Sequence, residues 1–168
     1  FGILLVVSGG MMLVQQVNKA GAVKSFARLR EEMPQASPPG GRPAAEARRQ
    51  EITPGSVYGV LAEQNADLAG WIKIEGTPID YPVMQTPDDG EFYLTRDFAR
   101  EYSIYGVPFA DKGCDLSPSG GNIIIYGHNR RDGEMFASLL SYQEPSYLRE
   151  HPVIRFDTLE EFGFYRIA

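Results

Sequence analysis

Between Pro34 and Gly55 the chain places Pro34, Pro38, Pro39, Gly40, Gly41, Pro43, Pro54 and Gly55. Proline removes a backbone donor and glycine loosens the chain, so a stretch this rich in both builds no core and reads as a spacer. The chain is thereby divided, and folded character is expected from Val57 onward. Ahead of the spacer, Val17 to Met33 has helical composition, with Val17, Ala20, Val23 and Ala27 on a loosely apolar face. Phe1 to Val14 carries no charge. Fourteen helical residues rise roughly 21 Å, short of a hydrocarbon core of about 30 Å. The run reads as part of a transmembrane signal-anchor, with a signal-peptide core or a buried helix as the competing readings. A chain that starts at Phe1 and ends within an apparent strand at Ala168 is expected to be cut at both ends. Three segments follow: a partial anchor over 1–16, a helical then Pro/Gly-rich spacer over 17–56, and a folded domain over 57–168.

The folded part is punctuated as a β-rich domain. Val57, Val60, Leu61 and Leu68 suggest a short helix, followed by strands at Trp71-Ile72-Lys73-Ile74 and Ile79-Asp80-Tyr81-Pro82-Val83 around the turn Glu75-Gly76-Thr77-Pro78. Pro82 points to an edge or a bulge. Asn122 to Tyr126 is a β-branched run between glycines, which predicts a buried strand. Asp132 is placed to cap a helix over 133–142, and Pro145 to Glu150 predicts a further helical turn. Val153 to Phe156 and Phe162 to Ile167 complete the strands. Short helices inserted between strands fit a compact barrel better than a βαβ sheet.

The formal net charge of −6 argues against a broad basic surface and hence against nucleic acid as a partner. Basic residues nevertheless gather near the N-terminus, where Lys19, Lys24, Arg28 and Arg30 follow the apolar run; they suit either an anionic lipid surface or a solvated linker.

The sharpest chemical feature is Tyr126-Gly127-His128-Asn129. A histidine just past a strand, after a glycine, is mounted rigidly yet left accessible, and imidazole works as acid or base near neutral pH. A structural, hydrogen-bonded histidine is the competing reading. His151, between Glu150 and Pro152, reads as structural or solvent-facing. Two distant histidines and one cysteine do not make a zinc site, and neither metal nor cofactor is expected. Cys114 lies among Asp111, Lys112 and Asp115, whose carboxylates oppose a thiolate, so it reads as a loop cysteine rather than a nucleophile. No phosphate loop, dinucleotide fingerprint, G-x-S-x-G elbow or H-E-x-x-H is present.

Several stretches, in order and spacing, resemble class B sortases. They are Asn65 to Gln85, Tyr93-Leu94 with Asp97-Phe98, Gly106 to Asp111, Asn122 to Asn129, Asp132-Gly133, Met135-Phe136, His151-Pro152 and Phe156-Asp157-Thr158. The resemblance implies a mainly β fold, a closed sortase-type barrel with N-terminal and short inserted helices, of which 57–168 form the first part. It implies a membrane-tethered, extracytoplasmic cysteine transpeptidase. Such an enzyme cleaves a cell-wall sorting signal on surface proteins and passes the acyl group to an amine of a peptidoglycan precursor or pilin. His128 matches the family's catalytic histidine, while Leu94 and Tyr126 fall where the substrate groove is lined. The family's nucleophilic cysteine and oxyanion-stabilising arginine come on later strands. Neither Cys114 nor Arg130, Arg131, Arg155 or Arg166 matches them, so this chain alone is expected to be inactive. Asp111-Lys112-Gly113 also departs from the family's common aspartate-x-arginine pattern. The alternative is a catalytically inactive, membrane-tethered binding module on the same barrel.

Overall fold

The structure is a computed structural model that describes residues 2–33 and 53–168, with side chains from Gln16 onward in the first segment. Most of the expected Pro/Gly-rich spacer, and the side chains of the expected anchor segment, lie outside the described residues. Helix α1 runs unbroken over Gly2–Glu32. Among the described residues no helix is long and apolar enough to cross a membrane.

Helix α2 spans Pro54–Gln64, starting earlier than the spacer composition suggested. The start is set by a capping box: Thr53 Oγ1 accepts the Ser56 N–H and Ser56 Oγ accepts the Thr53 N–H, with Pro54 in the first turn, where its missing donor costs nothing. Leu61 is fully buried beneath it.

Six strands among the described residues form one sheet in the order β4-β3-β2-β1-β5-β6. They are β1 (Leu68–Lys73), β2 (Asp80–Met84), β3 (Phe109–Ala110), β4 (Ile125–Tyr126), β5 (Val153–Thr158) and β6 (Phe162–Arg166). All neighbours pair antiparallel except β2 and β3, which meet in parallel at Met84 and Phe109. Side chains from β1, from the β4 edge (Ile125) and from the β6 edge (Tyr165) line one apolar trough of about 300 Å³. The sheet is therefore curled into a half-barrel. Ile79, Val83 and Met84, all fully buried, form the centre of its core.

Pro82 does not mark an edge, because β2 lies inside the sheet, but the β1–β2 register does slip beside it, between Leu68 and Gly70 opposite Met84 and Val83, as the bulge expectation allowed. Ile74 N–H bonds to Ile79 O, and counting pairs from there puts Trp71–Pro82 at a position where β1 asks for no hydrogen bond. On its other side β2 meets β3 only at Met84, so the absent N–H of Pro82 has no partner to deny.

Two further expectations are overturned. The run from Asn122 to Tyr126 is not a buried strand: only Ile125–Tyr126 pair, and Ile124 and Tyr126 are 42% and 45% exposed. β4 is an edge of the sheet, so β-branched residues here face the trough and solvent instead of a second neighbour. Nor does Asp132 start a helix at Gly133. Its Oδ1 accepts the Glu134 N–H at 3.4 Å, but Gly133 and Met135 take left-handed φ of 85° and 58°, which no α-helix accommodates, and a 3-10 helix begins only at Ala137, running to Gln143. Helix α3 covers Pro145–Glu150.

A buried polar pin ties α2 to the sheet. Asp157, with no solvent exposure, accepts the Tyr58 hydroxyl at 2.5 Å and Arg155 Nη2 at 2.7 Å. Burial, then the bonded carboxylate, pushes the Tyr58 hydroxyl far above its ordinary pKa, so it remains a donor throughout the working range.

Candidate active site

His128 leaves the end of β4 and is held by a backbone group from elsewhere in the chain. Its Nε2 lies 2.8 Å from Leu94 O. A carbonyl only accepts, so Nε2 carries the proton and Nδ1 is left as the nitrogen that gains or loses one.

The Leu94 carbonyl is free for this duty because of how its segment is built. Phe92–Thr95 is a short 3-10 helix. The flanking carbonyls are taken by the following loop: Val107 N–H bonds to Tyr93 O at 3.0 Å and Ser103 N–H to Thr95 O at 3.0 Å. Leu94 O, between them, is bonded by His128 instead. The loop's close return depends on Gly106, which has φ +57°, and a Cβ there would sit 2.5 Å from Leu94 O.

Underneath, Tyr93 is 1% exposed and fixes the segment to the start of β1. Its hydroxyl donates to Asp67 Oδ2 and accepts from Asn65 Nδ2, both at 2.8 Å, while Arg100 pairs with the same Asp67 at 2.8 Å. Burial first, and the Asp67 carboxylate with it, pushes the Tyr93 hydroxyl up to about 12.

On the other flank, Gly127 is required by contact. A Cβ there would approach the Phe136 ring to 2.7 Å. Phe136 N–H donates to His128 O at 2.9 Å, Asn129 bridges Met135, and Met135 N–H donates to the Tyr81 hydroxyl at 3.2 Å. The loop 128–136 is thus closed on itself, and its Phe136 also lines the apolar trough. A polar cleft of about 490 Å³ opens along His128, Asn129, Arg130, Arg131 and Asp132.

Of the other site candidates, Tyr126 stands in β4 with its ring 5.5 Å from that of Phe109 and its hydroxyl 3.4 Å from Asp111 Oδ2. The Asp111 charge raises its pKa. His151 Nδ1 lies 2.8 Å from Glu75 O. Cys114 sits in its own loop, its Sγ accepting the Ile124 N–H at 3.2 Å and its carbonyl accepting from Gln85. Arg130 stacks over the Tyr105 ring at 4.3 Å and bonds Ile104 O, and Arg155 is engaged by Asp157. Among the described residues no group of histidine, cysteine and carboxylates is arranged to hold a metal ion.

No protein-family model matches the chain. It is 37% identical over 107 residues to sortase B of Staphylococcus aureus (strain NCTC 8325 / PS 47), a match covering 64% of the chain and 43% of that relative. A crystal structure of sortase B from B. anthracis agrees with a TM-score of 0.71 at 27% identity, covering 89% of the chain and 66% of the crystallised one. The S. aureus sortase B–substrate complex agrees with a TM-score of 0.65 at 34% identity, over 70% of the chain and 53% of that structure. The curled sheet with its helices is a sortase-type half-barrel. In sequence the chain is similar to class B sortases, spanning less than half the length of the curated relatives it matches.

Proposed function

We propose that the chain is the histidine-bearing part of a class B sortase-type cysteine transpeptidase, with His128 as its acid and base. The observation that carries this is the Nε2–H bond to Leu94 O beside an open apolar trough. It leaves Nδ1 to exchange protons, at the rim where an extended peptide and a thiol would meet.

The chemistry runs in two halves. A cysteine thiolate adds to the scissile carbonyl of a sorting-signal peptide. As the C–N bond breaks, the leaving amine takes the proton from Nδ1 of the charged imidazole, and a thioester remains. The incoming amine of a peptidoglycan precursor or pilin then loses a proton to the neutral Nδ1 as it displaces the thiolate. Proton count and charge are restored after each cycle. Leu94 and Tyr126 would line the peptide's path.

Cys114 is not the thiol in this reading, since Asp111 and Asp115 flank its loop and its sulfur accepts the Ile124 amide. The nucleophile and an oxyanion-stabilising arginine would arrive on strands that cover the trough between β4 and β6. Without them the 168-residue chain would be inactive. The apolar run before Gln15 would anchor the protein in the cell membrane by a single N-terminal pass, with the folded domain outside; the unbroken α1 leads from that run into the domain.

The test is to read the coding region past codon 168 and assay the whole extracytoplasmic domain on sorting-signal peptides. A downstream cysteine and arginine, with cleavage abolished by cysteine-to-alanine and by His128→Ala, is the expected result. A domain that binds such peptides without thiol-dependent cleavage would make it a tethered binding module instead.

A further inference from the structure

We propose that α1 is a positioning strut for His128, acting through Lys19; this rests on His128 being the acid/base of the reading above. Lys19 Nζ donates to Asp132 O at 3.0 Å and pairs with Glu134 Oε1 at 3.0 Å, reaching 113 residues along the chain to grip the loop that begins at His128. One and a half to two turns further along α1, the Phe26 ring packs edge-on against Tyr81 at 4.9 Å, and Tyr81 receives the Met135 N–H.

The loop needs holding from outside. Met135 is buried with φ +58°, a left-handed conformation that a residue with a β-carbon adopts only at a cost. Its inner closure is two backbone hydrogen bonds, Phe136 N–H to His128 O and Gly133 N–H to Arg130 O, plus the bridge between Asn129 and Met135. The Tyr105 hydroxyl bonds the Asp132 carboxylate from the far side. The loop is therefore gripped between the 102–106 segment and α1, and α1 supplies the grip at Asp132 O, Glu134 and, through Tyr81, Met135. Lys19 is 39% exposed and Glu134 22%, so the pair is neither desolvated enough to be costly nor exposed enough to be inert. Removing Lys19 would free the Asp132–Glu134 end of the loop, loosen Phe136 against Gly127, and let the imidazole drift from Leu94 O.

The experiment compares the full chain with Lys19→Met, Lys19→Arg and Glu134→Gln by NMR in detergent micelles. Two signals are read: exchange of the Phe136 amide, and the protected imidazole Nε2–H of His128. Lys19→Met is expected to speed Phe136 exchange roughly tenfold and to erase the Nε2–H signal, with the amides of β1 unchanged. Lys19→Arg is expected to keep both signals, and Glu134→Gln to speed exchange by about threefold. Unchanged Phe136 exchange and an intact Nε2–H signal in Lys19→Met would overturn the strut. So would loss confined to a general rise in exchange that includes β1. In the whole domain, Lys19→Met should lower kcat with little change in KM. Should His128→Ala retain activity there, the acid/base reading fails, while the NMR comparison still decides whether α1 holds the loop.

Discussion

Replacing Gly127 by alanine drives a methyl group into the Phe136 ring, because the added Cβ would lie 2.7 Å from two ring carbons. Ordinary carbon contacts are about 3.5–4.0 Å, so the ring must retreat by roughly 1 Å. It has little room: Phe136 is 9% exposed, and its own amide is bonded to His128 O at 2.9 Å. Overpacking of this kind costs about 1–3 kcal/mol, offset by roughly 0.4–1 kcal/mol from the stiffer unfolded chain. A net loss of about 1–2 kcal/mol is expected. Phe136→Leu opens the space and by itself loses packing worth about 1–2 kcal/mol, below the range for Phe→Ala. The double variant should then be more stable than the sum of the singles by about 1 kcal/mol or more. Urea midpoints at constant slope measure all four proteins. Additivity within about 0.3–0.5 kcal/mol would refute the claim that Gly127 is there to admit the Phe136 ring.

Other consequences are open to measurement. Gly106→Ala forces a β-carbon into a left-handed φ and against Leu94 O, so the protected Nε2–H signal of His128 should vanish while the amides of β5 stay protected; a retained signal would mean that Leu94 O does not depend on this turn. Tyr58→Phe strips a charge-bonded donor from the fully buried Asp157 and should cost about 1.5–3 kcal/mol in urea unfolding, whereas a loss below about 0.5 kcal/mol would show the pin to be slack. Burial tends to raise the Asp132 pKa, but the Tyr105 hydroxyl, the Glu134 amide, Arg130 and Lys19 outweigh it and hold the carboxyl below its ordinary value. Its stabilising effect is thus present above about pH 4 and lost as pH falls through the lower folded value. Wild type should exceed Asp132→Asn in urea midpoint at pH 6, with the gap closing toward pH 3; a gap independent of pH would contradict this.

What could be read from the sequence was local. Tyr126-Gly127-His128 carried its histidine at the end of a strand by spacing alone, and turn residues bracketed β1, β2, β5 and β6 to within a few positions. What could not be read depends on partners far apart in the chain. Neither the acceptor of His128, 34 residues away, nor Lys19's grip on Asp132, 113 residues away, leaves any mark on periodicity. Nor does β-branched composition distinguish a buried strand from an edge strand facing a trough, which is why 122–126 read as buried. The start of α2 was legible in Thr53-Pro54-Gly55-Ser56, but composition masked the capping signal. Asn65 and Tyr93 stand 28 residues apart in the chain, and only the fold joins them beneath the segment that presents Leu94 O.

The most direct measurement is acyl transfer by the domain encoded by this chain and the coding region beyond codon 168, with a sorting-signal peptide, an amine acceptor, and wild type against His128→Ala. Formation of a thioester that the amine resolves, with the rate falling by about 10²–10⁴ in His128→Ala, is the outcome predicted for an acid/base histidine. A reading frame without a cysteine and arginine, or transfer that proceeds unchanged in His128→Ala, would contradict it.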